Sequence, residues 1–406
     1  MSATPPGDAG ASGVRPPPNA AAIFRTFLWL GLTGFGGPMA HLAMFRRAFV
    51  EQRGWVSAER YDALVALAQL VPGPASSQIG FALGLHWAGW RGALAAFAGF
   101  TLPSALLMTA LGMGLATSND PRLASILRGL MLVAVAVVAH AIASMARPIG
   151  LQPLPLFAAA GVALVAVLAP SGVAVWLALL AAAALGALLP NAIAVKRSEV
   201  AWPTAHRRAS RVALMLVAAL LLISVALTSS GPGQAVLAVA AAQLQAGALV
   251  FGGGHVVLPL LQHGVVEPGW VSAEAFASGY GAAQALPGPM FALSAYLGAV
   301  AQRGPLAPLS AGLSLLAIFL PGFAFIVAAQ AHAAALFAHR RGLAALTMVN
   351  GAVLGLLAAA WISLARDVGL VPSDAPVLVI AFAMLFALRR GALWAVLLCV
   401  GYALCV

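Results

Sequence analysis

The chain contains two copies of one sequence pattern, and this repeat constrains its fold more than any other feature. Three segments of the first half return in the second half 215 or 216 residues later, in the same order. They are Phe-Gly-Gly-Pro at 35–38 and Phe-Gly-Gly-Gly at 251–254, Gly-Trp-Val-Ser-Ala-Glu at 54–59 and 269–274, and Pro-Gly-Pro at 72–74 and 287–289. A Leu-Pro pair at 102–103 and 320–321 continues the series at a spacing of 218. Four matches in one order indicate an internal duplication.

Long apolar segments separate the few charged residues. The chain has 406 residues, of which 62% are hydrophobic and 8% are charged. Soluble domains usually carry about 25% charged residues, so a soluble enzyme is excluded because it would lack a polar surface. A β-barrel is excluded because the apolar runs are long and rich in Ala, Leu and Val, without regular polar alternation. The composition therefore predicts an all-α polytopic membrane protein.

The repeated motifs interrupt the apolar segments that contain them. The first four segments, at about 22–37, 39–50, 58–70 and 75–87, have 12 to 16 residues and are separated by Gly and Pro. Because a crossing helix needs about 20 apolar residues, we predict that they and their second-half counterparts form broken, re-entrant hairpins. Nine segments are predicted to cross fully: 90–117, 121–145, 151–169, 171–189, 212–230, 306–332, 340–365, 374–388 and 391–406.

The Arg and Lys residues indicate which side of the membrane each half faces. The loop before Trp55 contains Arg46, Arg47 and Arg53, whereas the loop before Trp270 contains no Arg or Lys. Because basic loops face the cytoplasm, the two halves are predicted to have inverted topology. With re-entrant hairpins and a cytoplasmic N-terminus, 17 of the 21 basic residues lie inside, and four lie outside: Arg122, Arg128, Arg303 and Arg366. Full crossing of the first segments would change this split to 13 against 8.

These features divide the chain into four predicted parts. Residues 1–20 are a disordered tail rich in Pro, Gly, Ala and Ser, and residues 21–189 are the first repeat. Residues 190–232 combine a basic cytoplasmic linker with one connecting transmembrane helix, which lets the second half begin on the opposite side. Residues 233–406 are the second repeat.

The sequence has no pattern typical of an enzyme. No Asp or Glu lies in the middle of a predicted crossing, which argues against a cation pump and against metal-dependent hydrolysis in the membrane. Phosphate-loop and nucleophile-elbow motifs are also absent. We therefore expect no catalytic residue, no metal site and no cofactor. The basic residues lie between apolar segments, so we expect contact with the lipid bilayer and no binding of nucleic acid.

The Gly- and Pro-rich breaks are suited to bind an anion. A helix that starts at a break exposes free backbone N–H groups and a partial positive charge, and glycine lets an oxyanion approach the backbone. The alternative is that Gly and Pro only kink or pack the helices. The candidate substrate-binding residues are Gly34, Phe35, Gly36, Gly37, Pro38, Gln69, Pro72, Gly73, Pro74, Ser76, Ser77, Phe251, Gly252, Gly253, Gly254, His255, Gln284, Pro287, Gly288 and Pro289.

Polar side chains near the breaks have two interpretations each. Gln69 and Gln284 precede the Pro-Gly-Pro breaks, where they donate to the bound oxyanion or join neighbouring helices. His41 and His255 follow the other two breaks. They add a titratable positive charge near the site or, as the more common case, are interfacial or hydrogen-bonded histidines.

Taken together, the motifs resemble the chromate transporter family in its long, two-domain form. The resemblance rests on Phe-Gly-Gly-Pro, the Gly-Trp-Val-Ser loop, the Gln-Leu-Val-Pro-Gly-Pro break and Thr101-Leu102-Pro103, repeated after a basic linker, and it covers residues 22–406. It implies export of chromate across the bacterial inner membrane and resistance to chromate, with sulfate as a related tetrahedral dianion. The second half departs from the first at Gly254, which replaces Pro38, and at 290–292, which replaces 75–77. The first-half site is therefore the more polar one.

Three functions fit the sequence to different degrees. The first is a secondary transporter that exports chromate. The second is uptake or exchange of sulfate or another oxyanion. The third, a membrane-embedded enzyme acting on lipid phosphates, requires a cluster of an acid, a His and a nucleophile that the sequence does not show. A homodimer is compatible with each of them.

The inverted topology is testable by labelling single cysteines from either side of the membrane. We expect a cysteine placed next to Arg47 to react from the cytoplasmic side and one placed next to His263 to react from the periplasmic side. Reaction of both from the same side would contradict the inverted repeat.

Overall fold

The computed structural model describes residues 18–35, 37–115, 121–168, 172–193, 207–228, 235–250, 256–387 and 392–405. The predicted tail up to residue 17 and residues 194–206 of the predicted linker lie outside these ranges. Sixteen α-helices occur in the described residues. Their bounds are α1 Ala20–Thr33, α2 Gly37–Phe45, α3 Ala58–Leu70, α4 Ala75–Leu115, α5 Pro121–Ile149, α6 Pro153–Leu168, α7 Gly172–Leu188, α8 Arg207–Thr228, α9 Ala235–Ala248, α10 Val257–Leu261, α11 Ala273–Ala285, α12 Leu293–Ala301, α13 Ala307–Ala338, α14 Arg340–Asp367, α15 Ala375–Phe386 and α16 Ala392–Cys405.

The two halves have the same order of elements. Helices α9 and α11 repeat α1 and α3 at an offset of 215 residues. Helices α2 and α10 both continue into a π-helical turn, at Arg46–Gln52 and Gln262–Val266. The side chains of Ser57 and Ser272 cap α3 and α11, because each hydroxyl accepts the N–H of the third residue after it. The connecting helix α8 has no counterpart, as predicted for the segment that joins the halves.

The second hairpin of each half turns sharply before a long helix begins. Helix α4 leaves helical geometry at Ala88 and Gly89, where the φ angle of Gly89 is +60°. At the matching place in the second half, the turn between α12 and α13 contains Gly304 with a φ angle of +84°. Glycine adopts this left-handed conformation without the steric cost that other residues incur. The sequence-based boundary between residues 87 and 90 therefore corresponds to a real bend.

Within the described ranges, five stretches are long and apolar enough to cross a membrane: Ala75–Gly114, Ala124–Ile149, Arg208–Leu227, Ala307–His332 and Arg340–Asp367. Four other segments, for which the sequence predicted full crossings, form the shorter helices α6, α7, α15 and α16, with 16, 17, 12 and 14 residues. At 1.5 Å per residue these helices extend about 18 to 26 Å, less than the roughly 30 Å of a hydrocarbon core. Their full crossing stays a prediction, because the residues that join α6 to α7 and α15 to α16 lie outside the described ranges.

The last helices of each half pack against the opposite half. Helices α6 and α7 pack on α14, whereas α15 and α16 pack on α5. Glycines make these crossings close: a Cβ atom on Gly355 would overlap the carbonyl oxygen of Ala159 in α6, and one on Gly129 would lie 2.5 Å from the Cα atom of Val400 in α16. Small residues at such crossings let helix backbones approach in a membrane, where the hydrophobic effect does not drive association. The two halves therefore interlock and form one unit.

A buried ion pair also joins the halves. Arg128 of α5 donates to Asp374, just before α15, at 2.6 Å, and to the backbone carbonyls of Val368 and Gly369. The carboxylate of Asp374 is buried and also accepts the N–H of Val371 at 3.0 Å. Arg128 thus fixes the turn after α14 to the first half, because these hydrogen bonds satisfy a charge that would be costly to bury alone.

The interlocked packing predicts a difference between two glycine substitutions. Gly355→Leu should lower the free energy of unfolding by at least about 1–3 kcal/mol, because the added side chain must separate α14 from α6. Gly161→Leu on α6 is the matched control, since a Cβ atom there meets nothing within 4 Å. Thermal unfolding of both purified variants in detergent measures the difference. Equal midpoints for the two variants would contradict the close crossing.

Candidate anion-binding site at the crossing of the helix breaks

Two hydrogen bonds bring the helix breaks of the two halves together. The Gly73 N–H in the first Pro-Gly-Pro break donates to the carbonyl of Val250 at 2.7 Å, where the second half leaves α9. The Gly288 N–H in the second Pro-Gly-Pro break donates to the carbonyl of Gly34 at 2.8 Å, where the first half leaves α1. The two bonds are equivalent under the repeat, because the two donors correspond to each other and so do the two acceptors. Each Pro-Gly-Pro break therefore contacts the end of the first helix of the opposite half, and we call these two contacts together the crossing.

The geometry of the Pro-Gly-Pro breaks requires glycine. The φ angles of Gly73 and Gly288 are +132° and +103°, a conformation that residues with a Cβ atom rarely adopt. The backbone approach is also close: a Cβ atom on Gly73 would lie 2.7 Å from the Cα atom of Gly322, and one on Gly288 would lie 2.7 Å from the Ser104 hydroxyl. Both contacts reach the residue that follows a proline within a helix, Gly322 after Pro321 and Ser104 after Pro103. Glycine at these positions therefore serves packing between the halves.

Helical structure begins directly after each Pro-Gly-Pro break. Helix α4 begins at Ala75, and its first regular hydrogen bond joins the Gln78 N–H to the Pro74 carbonyl at 2.9 Å. The N–H groups of residues 75–77 precede that bond, so they lack an acceptor one helical turn earlier. In the second half, a 3-10 turn at Met290–Ala292 precedes α12. Because the Gly73 and Gly288 N–H groups are already paired, these first-turn groups are the backbone donors left for an oxyanion.

The two helix starts differ in polarity. Ser76 and Ser77 are buried at the start of α4, and the Ser77 hydroxyl has no hydrogen-bond partner among the described residues. The matching positions in the second half are occupied by the buried apolar segment Met290–Ala292. The first-half start therefore supplies side-chain donors in addition to backbone donors, as the sequence comparison indicated.

Gln78 is a residue that the sequence analysis missed. Its side chain is fully buried, and its amide nitrogen donates to the carbonyl of Pro72 at 2.8 Å and to that of Gly322 in α13 at 2.9 Å. Gln78 thereby joins the first Pro-Gly-Pro break to Gly322 in α13 of the opposite half. A signal was present in the sequence: this amide lies in an apolar segment four residues after a break, and its counterpart Leu293 is apolar.

The structure gives the two predicted glutamines different surroundings. The Gln69 side chain is exposed, and the Gln284 amide nitrogen lies 3.0 Å from the sulfur of Met290, to which it donates. Gln284 is thus paired within its own break. A role for either glutamine in binding the anion stays a prediction.

The His41 side chain contacts the first helix break at Gly34. Its Nε2 donates to the Gly34 carbonyl at 3.0 Å, and its buried ring packs edge-on against Phe100 with centroids 5.1 Å apart. The Gly34 carbonyl therefore accepts from both His41 and Gly288. This contact agrees with the interpretation of His41 as a hydrogen-bonded histidine.

The remaining candidates are distributed around the crossing or fall outside the described ranges. Phe35 is exposed, Gly37 and Pro38 begin α2, and the prolines of both Pro-Gly-Pro breaks are buried or half-buried. Six candidates lie outside the described residues: Gly36, Phe251, Gly252, Gly253, Gly254 and His255.

Substitution of Gln78 tests whether the crossing matters for transport. Gln78→Leu introduces the residue of the equivalent position and leaves the Pro72 and Gly322 carbonyls without this donor, at a cost of about 1–3 kcal/mol for each unsatisfied group. We expect at least about a tenfold lower initial rate of anion transport from a monodisperse protein. Gln302→Leu, in the turn between α12 and α13, is the control and should keep the wild-type rate. Equal rates for the two variants would show that Gln78 does not support the site.

Comparison with known proteins identifies the family. The family described as chromate transporter matches residues 21–188 and again residues 237–404. The chromate transport protein of Pseudomonas aeruginosa is 31% identical over 372 residues, which cover 88% of this chain and 84% of the relative. The probable chromate transport protein of Synechococcus elongatus is 29% identical over 359 residues, with coverage of 87% and 86%.

A third relative gives the same result with shorter coverage. The chromate transport protein of Cupriavidus metallidurans is 31% identical over 304 residues, covering 74% of this chain and 71% of the relative. No solved structure matches the chain. The two family matches coincide with the two halves seen in the structure, and this chain belongs to the chromate transporter family.

Proposed function

We propose that this protein is a secondary transporter that binds chromate at the crossing of the four helix breaks and exports it across the bacterial inner membrane. Export of chromate would make the cell resistant to it. The observation that supports the proposal is the reciprocal pair of hydrogen bonds, Gly73 to Val250 and Gly288 to Gly34, by which each Pro-Gly-Pro break contacts the opposite half. Membership of the family supports chromate as the transported ion.

The groups at the crossing suit a tetrahedral dianion. The first N–H groups of α4 and the hydroxyls of Ser76 and Ser77 are neutral donors, and the helix start adds a partial positive charge. No described residue named at the crossing is a carboxylate, so a dianion meets no repulsion from a fixed negative charge. Binding by neutral donors recognises charge and shape, which predicts that sulfate competes with chromate.

The membrane potential favours export of a dianion. One elementary charge that crosses the membrane changes its energy by about 2.3 kcal/mol per 100 mV, so a dianion that leaves an inside-negative cell gains about 4.6 kcal/mol. Export therefore needs no coupled ion. If protons moved inward in exchange for the anion, more net charge would cross the membrane in each cycle. The transport rate would then depend more steeply on the membrane potential.

Right-side-out membrane vesicles loaded with radioactive chromate test both the ion and the direction. An inside-negative potential should accelerate efflux, and collapse of that potential with a potassium ionophore should slow it. Sulfate inside the vesicles should compete with chromate and reduce its initial rate. Vesicles that lack the protein provide the leak rate.

Two results would contradict the export proposal. The first is efflux that ignores the potential and requires an oxyanion outside, because an exchange of one dianion for another moves no net charge. That result would favour the exchange alternative. The second is the absence of any chromate flux above the leak rate.

A further inference from the structure

A pocket of about 280 Å³ lies between the two halves, apart from the crossing itself. Its walls come from α6 and α7 of the first half and from α9, α14 and the π-helical turn Gln262–Val266 of the second half. The walls are mostly apolar, whereas the rim contains His263, Glu267, Ser363 and Arg366. The pocket therefore combines residues of both halves with a charged opening.

The pocket reaches the crossing at its inner end. Ala246 and Leu249 line it, and the next residue along the chain, Val250, accepts the hydrogen bond from Gly73. At the other end, His263 and Glu267 belong to the segment for which the charge pattern predicts a periplasmic position. The pocket lining thus includes Leu249 beside the second-half break as well as residues of the segment that is predicted to face the periplasm.

The charges at the rim nearly balance each other. His263 Nδ1 lies 2.6 Å from Glu267 Oε2, and both side chains are partly exposed. Arg366 lines the pocket beside Asp367, whose carboxylate lies 3.4 Å from the Gln262 amide nitrogen. The pocket lining therefore has the carboxylate of Glu267 against one guanidinium and one histidine, and the carboxylate of Asp367 lies next to the lining in sequence.

The equivalent hairpin of the first half is much more basic. Its residues Arg47 and Arg53 correspond to Gln262 and Pro268, and its Gln52 corresponds to Glu267. Arg46 forms an ion pair with Asp62, and Arg60 lies 2.8 Å from His86. An anion therefore meets a positive field at the predicted cytoplasmic mouth and a nearly neutral one at the pocket.

We propose that this pocket is the outer vestibule through which the oxyanion leaves the crossing, and that Glu267 keeps its affinity for the anion low. The inference rests on the proposed export function and on the predicted orientation. A transporter must bind its ion well enough to capture it and weakly enough to release it. The basic cytoplasmic mouth serves capture, and the carboxylates at the pocket serve release.

Cysteine labelling tests the path. In a chain with Cys399→Ala and Cys405→Ala, Leu249→Cys should react with a small membrane-impermeant thiol reagent added outside right-side-out vesicles. Arg303→Cys, in the turn between α12 and α13, is the control that reacts from outside because it is exposed there. A transport-competent Leu249→Cys protein that reacts only from the cytoplasmic side, or from neither side, would overturn the vestibule.

A charge substitution tests the role of Glu267. Glu267→Lys should lower the half-saturating concentration of external chromate in exchange assays by about fivefold at low ionic strength, because the added positive charge attracts the dianion. The shift should shrink at high salt. Glu59→Lys is the matched control, since Glu59 is an exposed carboxylate in the first turn of α3, on the predicted cytoplasmic side, and does not line the pocket. Folding should tolerate Glu267→Lys, because a partly exposed ion pair contributes little stability.

The outcomes separate this inference from the proposed function. Equal shifts for Glu267→Lys and Glu59→Lys, or no shift for either, would overturn the role of Glu267 while wild-type efflux still supports export. Absence of efflux from the wild-type protein would overturn export instead, and the labelling of Leu249→Cys would still report whether the pocket opens outside.

Discussion

The hydrogen bonds from Gly73 to Val250 and from Gly288 to Gly34 solve the main problem of a broken helix in a membrane. Backbone groups at a break have no partner in their own helix, and the bilayer offers no water to replace it. Here each half supplies an acceptor to the other, so neither Pro-Gly-Pro break would be satisfied by its own half alone. The amide of Gln78 adds two further bonds to carbonyls of both halves. The crossing therefore depends on the duplication itself.

The interlocked helices hold this crossing in place. Helices α6 and α7 pack on α14, and helices α15 and α16 pack on α5. The last helices of each half therefore pack against the other half. The contact of Arg128 with Asp374 holds the start of α15 against the first half, and Gly355 allows the close approach of α14 to α6. A shift of one half against the other must therefore change both the crossing and these helix contacts. This coupling is what an alternating-access transporter of inverted repeats requires.

Local sequence signals predicted much of the fold, and contacts between distant residues explain what they missed. The motif repeat predicted the two halves, and the Pro-Gly-Pro segments predicted the breaks, because Gly and Pro have strong local preferences. The bonds from Gly73 to Val250 and from Gln78 to Gly322 join residues far apart in sequence, so no local pattern predicts them. The motif pattern indicated Gln69, three residues before the first Pro-Gly-Pro break, whose role stays a prediction, whereas the buried Gln78 lies one turn into the next helix. The full crossings that apolarity predicted for α6, α7, α15 and α16 stay predictions, because the residues that join these helices lie outside the described ranges.

The difference between the halves explains how a duplicated protein can bind one ion. Two identical helix starts would offer two equivalent sites, but residues 75–77 retain hydroxyls whereas residues 290–292 are apolar. A dianion that binds to neutral donors at one helix start must lose its hydration shell. No fixed positive charge offsets the free-energy cost of that desolvation in full. That residual cost keeps binding moderate, and moderate binding favours turnover in a transporter. In the proposed mechanism, the basic residues at the predicted cytoplasmic mouth concentrate the anion, and the scarcity of fixed charge at the crossing keeps its binding weak enough for release.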